Sequence, residues 1–348
     1  MPLRPNPFLH HEPSRVYNPL TDRALEPGDG QYESFRTFVA DGIADEALVR
    51  DGWITNDDDD LSHRHRLKIV SLETLTTCNQ RCYFCPVSIA PREDEAMPES
   101  MFDSIVAQLT QFRSTIEGVF LQSYNEPTVD RRFVDFCARL FDAQLPVAVL
   151  SNGTGLTPRN VEGLMRAGTL RFLCINISTM DRQRYIDDRG VDHLPVVLAN
   201  LEAMRDLPVA TQMRIIVLGE HDENHHRDFE AIRERFGDSR FEVQMHQVID
   251  RAGMLDVGIK TEPIRHLAGC ELIGSRPIQH LHITASGTCI LCCQDYDEAY
   301  VVGDLKTQTV VEVLESDTMA RMRRMAYGIE EAPDDFICRR CSFALSRD

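Results

Sequence analysis

The stretch Cys78-Asn79-Gln80-Arg81-Cys82-Tyr83-Phe84-Cys85 sets three thiols at the spacing Cys-x3-Cys-x2-Cys. Cysteine thiolates are the ligands of iron–sulfur clusters. Three of them can hold three corners of a cubane [4Fe–4S] cluster and leave the last iron open to a ligand that is not protein. Zinc is the other metal that such thiols take. Zinc sites, however, usually carry Cys-x2-Cys pairs with the remaining ligands close by, and here the next group of cysteines begins only at Cys270.

The surrounding chain has 348 residues, 11 cysteines and a formal net charge of −18. Its length suits one large domain and a smaller one. No apolar run approaches the roughly 18–20 residues needed to cross a bilayer. Met1 to Pro13 lacks the apolar core of a signal peptide and is interrupted by prolines. The expected location is therefore cytoplasmic, where thiols stay reduced and clustered cysteines act as metal ligands. The negative charge argues against nucleic acid and membrane as partners, and a basic or neutral substrate fits it better.

Three regions follow from the pattern. Residues 1–66 form an N-terminal extension with helix-like stretches at 31–41 and 44–51, and the run Asp57 to Asp60 predicts a solvated acidic linker. Residues 67–250 alternate short apolar strands with amphipathic helices. The strand at 68–72 delivers the Cys loop, and further strands are expected near 119, 147, 173, 213 and 241. Thr157 before Pro158 reads as a helix N-cap. Repeated β–α units predict a parallel sheet with right-handed crossovers, and chemistry in such barrels sits at the C-terminal strand ends. Cys174 reads as a small buried core residue below that rim, and His225-His226 as solvated. Residues 251–348 hold Cys270, Cys289, Cys292, Cys293, Cys338 and Cys341.

The Cys78–Cys85 run resembles the signature of the radical S-adenosylmethionine (SAM) enzymes. That resemblance implies an α/β fold, a partial (β/α)6 TIM-like barrel, with Cys78, Cys82 and Cys85 on a [4Fe–4S] cluster and Phe84 beside the cofactor. In the family the open iron chelates SAM, and an electron from an external donor such as flavodoxin or ferredoxin releases a 5′-deoxyadenosyl radical that removes a substrate hydrogen atom. Ser123-Tyr124-Asn125-Glu126-Pro127 matches the Glu-Pro half of the family's Gly-Gly-Glu-like motif, which implies Glu126 and Asn125 at the SAM amino group. The glycines are absent, and a carboxylate that caps the next turn is the alternative. Ser151-Asn152-Gly153 resembles the family's Asn-Gly turn near SAM; seen alone it is only a turn signal. Ser178 and Arg189 stand where relatives place the Ser and Arg that hold ribose and carboxylate, with a surface ion pair as the alternative for Arg189. Leu218 is expected beside adenine.

Cys270, the Gly287-x4-Cys292 spacing and Cys338-Arg339-Arg340-Cys341 resemble the SPASM or shorter twitch extension of this family. The four matching thiols Cys270, Cys292, Cys338 and Cys341 imply one auxiliary [4Fe–4S] cluster. Cys289 and Cys293 are spare, and either can replace Cys292; a four-Cys zinc ribbon is the alternative. Cys293 and Asp295 are the catalytic candidates, although Asp295 reads more readily as a turn residue. Asn18-Pro19-Leu20-Thr21 with Gly52-Trp53-Ile54 resembles the leader segments of peptide-modifying radical SAM maturases, and a packing extension over the barrel is the plainer reading. The resemblance thus implies a ribosomally made peptide that is crosslinked, oxidised or epimerised. A single auxiliary cluster points instead to a small-molecule dehydrogenase or epimerase acting on a sugar or aminocyclitol. A non-catalytic zinc-binding interaction protein is the reading from another class.

Overall fold

The computed structural model describes residues 2–347. The chain opens with short strands: β1 (Leu3–Pro5), β2 (His10–Glu12), β3 (Arg15–Asn18) and β4 (Arg23–Leu25). Helices α1 (Gly30–Asp41) and α2 (Glu46–Arg50) follow, then β5 (Ile54–Asn56). Strands β2, β3 and β4 make an antiparallel sheet, and β1 pairs with β5. These elements close over a core of their own that includes Val16, Phe35, Phe38, Leu48 and Trp53. Burying Trp53 completely is worth roughly 4–6 kcal/mol at 150–250 Å² of apolar surface.

The two halves of the leader-like motif meet inside this module. The Asn18 side-chain amide donates to the Gly52 carbonyl at 3.0 Å, and its Oδ1 accepts the Leu20 amide at 3.0 Å. The module is fastened to the rest of the chain by named contacts. Lys68 pairs with Asp22 at 2.8 Å, Gln279 donates to the Pro19 carbonyl at 2.9 Å, and His10 hydrogen-bonds Tyr327 at 2.7 Å. Of the expected acidic linker, Asp57 and Asp58 are exposed, but Asp59 is tied down by the Thr55 hydroxyl at 2.7 Å.

The barrel then runs β6 (Ile69–Leu72), α3 (Glu99–Leu109), β7 (Gly118–Phe120), α4 (Phe133–Asp142), β8 (Val147–Ser151) and α5 (Pro158–Ala167). It continues with β9 (Leu170–Asn176), α6 (Arg182–Arg189), α7 (Leu194–Met204), β10 (Ala210–Gly219), α8 (Glu223–Phe236) and β11 (Phe241–Gln247). Strands β6 to β11 lie side by side in chain order, each parallel to the next. Their buried runs, such as Val147 to Val149, are the continuous apolar type of a sheet covered by helices. The cap expected at Thr157 is present, its hydroxyl accepting the Asn160 amide at 3.3 Å. His225 departs from its solvated reading: it is buried on Gly219, where no Cβ intervenes, and its Nε2 meets the Val217 carbonyl at 3.0 Å.

The C-terminal region does not stand apart as a separate body. It contributes β12 (Leu267–Cys270), α9 (Arg276–Gln279), β13 (His280–Ile283), β14 (Thr288–Ile290) and β15 (Val301–Asp304). Helices α10 (Val310–Leu314) and α11 (Asp317–Ala326) and strand β16 (Ala344–Ser346) end the chain. Strand β13 pairs in parallel with β6, and β14 and β15 follow antiparallel, so one nine-stranded sheet runs β11-β10-β9-β8-β7-β6-β13-β14-β15. Separately, β12 and β16 pair antiparallel, with Cys270 opposite Ala344. No helix among the described residues is long and apolar enough to cross a membrane.

Candidate active site

The Cys loop leaves the C-terminal end of β6 and is pinned to the end of α6 by main-chain bonds. The Arg81 amide donates to the Arg189 carbonyl and the Tyr83 amide to the Asp188 carbonyl, each at 2.9 Å. Burial pushes the Cys78 thiol up to about 12 and the Cys82 thiol up to about 11. Binding metal here therefore has to release the thiol protons.

Arg189 lies under this loop and is 1 % exposed, so the surface ion pair is not what the chain builds. Its guanidinium donates to Gln80 Oε1 at 3.1 Å, to Ser178 Oγ at 3.1 Å and to Asn176 Oδ1. It also reaches the Cys82 sulfur at 3.7 Å, and its planar fork is the geometry that suits a carboxylate.

Glu126 follows β7 and is 3 % exposed. Its Oε1 accepts from the Thr128 amide at 3.1 Å, the Thr128 hydroxyl at 2.5 Å and the Ser151 hydroxyl at 2.7 Å. Its Oε2 accepts only the Asn152 amide, at 2.6 Å. Glu126 caps the turn at Pro127–Val129, and it also stands on a cavity wall. Burial raises its pKa against these donors. The Asn152 side chain donates to Asn79 Oδ1 at 2.8 Å, which couples the Asn-Gly turn to the Cys loop. Gly153 adopts φ +82°, a conformation for which glycine is the natural choice.

One cavity of about 330 Å³ collects these groups at the strand ends. Cys78, Cys82, Cys85, Phe84, Asn125, Glu126, Ser151, Asn152, Arg189 and Leu218 all line it. Ser178 lies behind the wall, bonded to Arg189. Sequence reasoning missed Gln80, Asn176, Tyr124, His246, Arg251 and Phe343, which border the same site. Asn176 was accessible from strand alternation, two residues before Ser178; the others carry no local signal. Cys174 also departs from its expectation. It is buried, but on the cavity wall, because the open barrel lets the cavity descend along β9. Burial pushes its thiol up to about 12, so it keeps its proton.

A second cavity is walled by Cys270, Cys292, Cys338 and Cys341. The β12–β16 ladder carries Cys270 to it, and a 3-10 turn at Ile337–Arg340 brings Cys338 and Cys341. Burial raises all four thiols. Cys289 is instead packed in the core of β14. Cys293 is not among the lining residues, but its thiol lies near those of Cys270, Cys292 and Cys341, and its carbonyl accepts the Tyr124 hydroxyl. Asp295 spends its carboxylate on the Ala299 and Tyr300 amides at 2.9 and 2.8 Å, within its own loop. Among the described residues no three His, Cys, Asp or Glu side chains are grouped as the ligands of a single metal ion. The thiols stand around cavities, an arrangement that fits a cluster with body of its own. Phe343 lines both cavities and is their shared wall.

The described residues thus set three thiols at the strand ends of a partial parallel barrel, next to a chamber walled by four more. Residues 72–232 match the model of the radical SAM superfamily, and residues 270–342 match SPASM, an iron–sulfur cluster-binding domain. These two matches make the chain a radical SAM enzyme with a C-terminal SPASM domain. The two domains imply [4Fe–4S] clusters and SAM.

Solved structures share the fold. SuiB of Streptococcus suis bound to precursor peptide SuiA is similar at a TM-score of 0.59 and 12% identity, over 92% of this chain and 88% of that one. BtrN in complex with AdoMet and 2-DOIA is similar at 0.51 and 16% identity, over 77% and 90%. A third, anSMEcpe with bound AdoMet, gives 0.54 and 13%, over 76% and 81%. No curated protein sequence matches the chain.

Proposed function

We propose that this enzyme is a maturase of a ribosomally synthesised peptide, which it crosslinks, oxidises or epimerises. The observation that carries the reading is the N-terminal module. It has its own buried core and is fastened to barrel and C-terminal region alike. The likeness to a peptide-bound structure spans 92% of the chain, where the likeness to BtrN spans 77%.

In this reading SAM, bound at the three-thiol cluster and reduced by a donor such as flavodoxin or ferredoxin, supplies the radical that takes a substrate hydrogen. The chain's own part is placement. Arg189, held by Asn176 and Ser178, offers its charge to the SAM carboxylate, and the Oε2 of Glu126 has room for the SAM ammonium. Phe84 and Leu218 pack about the adenine, and Ser151 and Asn152 hold the Glu126 wall. Cys270, Cys292, Cys338 and Cys341 hold one auxiliary cluster, and the apolar wall at Phe343 keeps water out between the chambers. That single auxiliary chamber also favours a second reading, a dehydrogenase or epimerase of a sugar or aminocyclitol.

The test is anaerobic reconstitution with iron and sulfide, then reduction in the presence of SAM. The expected result is about eight iron per chain, for two cubanes, with 5′-deoxyadenosine formed and its formation abolished by Cys82→Ala. A peptide library and an aminocyclitol panel are then offered to the same preparation. Hydrogen loss, or deuterium uptake from heavy water, in peptides alone supports the maturase. Turnover of aminocyclitols alone transfers the conclusion to the second reading.

A further inference from the structure

The lining of the cavity has two parts. One is formed by the Cys loop, Glu126, Asn152 and Arg189. The other comprises Tyr124, His246 and Gln247 at the end of β11, Arg251 and Phe343, with Arg251 also close to Cys85 of the Cys loop.

Arg251 is the charged group of that second part. Its backbone is left-handed at φ +53°, followed by Ala252 at +57° and Gly253 at +84°. Two consecutive residues with side chains in this region cost about 1–2 kcal/mol each, and strain of this kind collects at functional sites. The side chain reaches over the Tyr124 ring, 5.9 Å from its centre. Its Nε is shut off from solvent with no partner, and among the described residues the guanidinium has neither a hydrogen bond nor an ion pair. Neighbouring arginines are treated differently. Arg92 is paired with Glu73 and Arg132 with Asp130, while Arg189 is held by Gln80, Asn176 and Ser178. Arg251 is half-buried and its charge has the Tyr124 hydroxyl and the thiols of Cys85, Cys293 and Cys341 for neighbours, so its hydrogen-bonding capacity is left open on a strained backbone.

We infer that Arg251 anchors a carboxylate of the substrate in this second part of the cavity. The inference rests on the radical SAM reading only in assigning the first part to SAM. Among the described lining residues Arg251 is the one permanent cation without a hydrogen bond or ion pair. Such a site matches a monoanion rather than a phosphate, which gathers several donors. A guanidinium fork meets a carboxylate with two parallel hydrogen bonds. An acidic residue within a peptide, a peptide C-terminus and a small carboxylic acid all present this group, whereas an unsubstituted aminocyclitol does not. An anchored carboxylate differs from the basic or neutral substrate expected from net charge.

The test is arginine footprinting with phenylglyoxal on the reconstituted, SAM-loaded enzyme, resolved by mass spectrometry. The probes are N-acetylalanine, the N-acetyl, N′-methylamide derivative of aspartate, and the primary amides that match both. Arg251 is expected to be modified readily and protected several-fold by carboxylate probes but not by amides, with Arg189 unaffected by either. Protection by the aspartate derivative alone identifies an internal acidic residue; protection by N-acetylalanine alone identifies a terminal or small-molecule carboxylate. No modification of Arg251, or equal protection by the amides, overturns the inference. So does loss of iron or of SAM binding in Arg251→Gln, which would assign the cation to the cofactors. Labelling requires no turnover, so failure of SAM cleavage counts against the functional reading and absence of protection against Arg251.

Discussion

The Tyr124 hydroxyl donates to the main-chain carbonyl of Cys293, across a sequence separation of 169 residues. Tyr124 directly precedes the Asn125-Glu126 pair, and Cys293 directly follows the cysteine that lines the four-thiol chamber. The Tyr124 ring also meets Tyr296 edge-on at 4.7 Å. One buried side chain thereby links the Asn125-Glu126 turn of the first cavity to the loop of the second. Tyr124→Phe leaves the Cys293 carbonyl without its partner, which costs about 1–3 kcal/mol for a buried acceptor. A lower Tm and faster iron loss from the auxiliary site are expected, read by calorimetry and by chelator challenge.

Exchange of the spare cysteines separates ligand from bystander. Cys292→Ser is expected to drop the iron content from about eight to about four per chain, as one of two cubanes is lost. Cys289→Ser and Cys293→Ser are expected to keep it. Iron analysis with electron paramagnetic resonance decides the matter, and a full complement in Cys292→Ser would move the fourth ligand elsewhere.

Glu126→Gln puts an NH2 group where the Asn152 amide and the Ser151 and Thr128 hydroxyls now donate to a carboxylate. At least one buried donor loses its acceptor, at about 1–3 kcal/mol. SAM binding should weaken by about tenfold or more, since one charge-assisted contact to its ammonium is worth about 1.5–3 kcal/mol. Equilibrium dialysis of SAM against the cluster-loaded variant measures this directly.

Gly153→Ala tests the turn below the site. The added Cβ would sit 3.1 Å from Val197 Cγ1 and 3.2 Å from Ile175 Cγ2, on a backbone at φ +82°. The expected cost is about 1–3 kcal/mol, with SAM affinity falling alongside as Asn152 moves. Unchanged affinity with lowered stability would confine the turn to a folding role.

His10, at the joint with Tyr327, gives a pH dependence. It is 2% exposed, and burial holds it down to about 4 from 6.5. A histidine whose folded pKa is depressed contributes stability above its unfolded value and loses it as pH falls. The contribution is therefore complete above pH 6.5 and disappears progressively towards pH 4, amounting to at most about 3 kcal/mol. Urea unfolding across that window should show the decline, and His10→Gln should flatten it.

Much of this molecule was legible from local pattern. Short apolar runs alternating with amphipathic stretches marked β6 to β11, and the spacing of Cys78, Cys82 and Cys85 marked the cavity they line. The strands of the N-terminal module, such as His10–Glu12, were not legible, because three residues are too few to display a period. The pairing of β13 with β6 joins residues more than two hundred positions apart, and nothing near either strand names its partner. Arg251 and Phe343 escaped for a related reason. Each is a single side chain whose meaning comes from the cavity around it, and only the folded chain has that cavity.

The pairs Ile69–His280, Val70–Leu281, Ser71–His282 and Leu72–Ile283 have a mechanical consequence. They hang Cys292, just past β14, on the same hydrogen-bonded sheet as the Cys loop, while Cys270, Cys338 and Cys341 are carried by the separate β12–β16 ladder and the 3-10 turn beside it. The second chamber therefore straddles two sheets, and whatever its four thiols jointly bind acts as a staple between the last strands of the chain and the barrel.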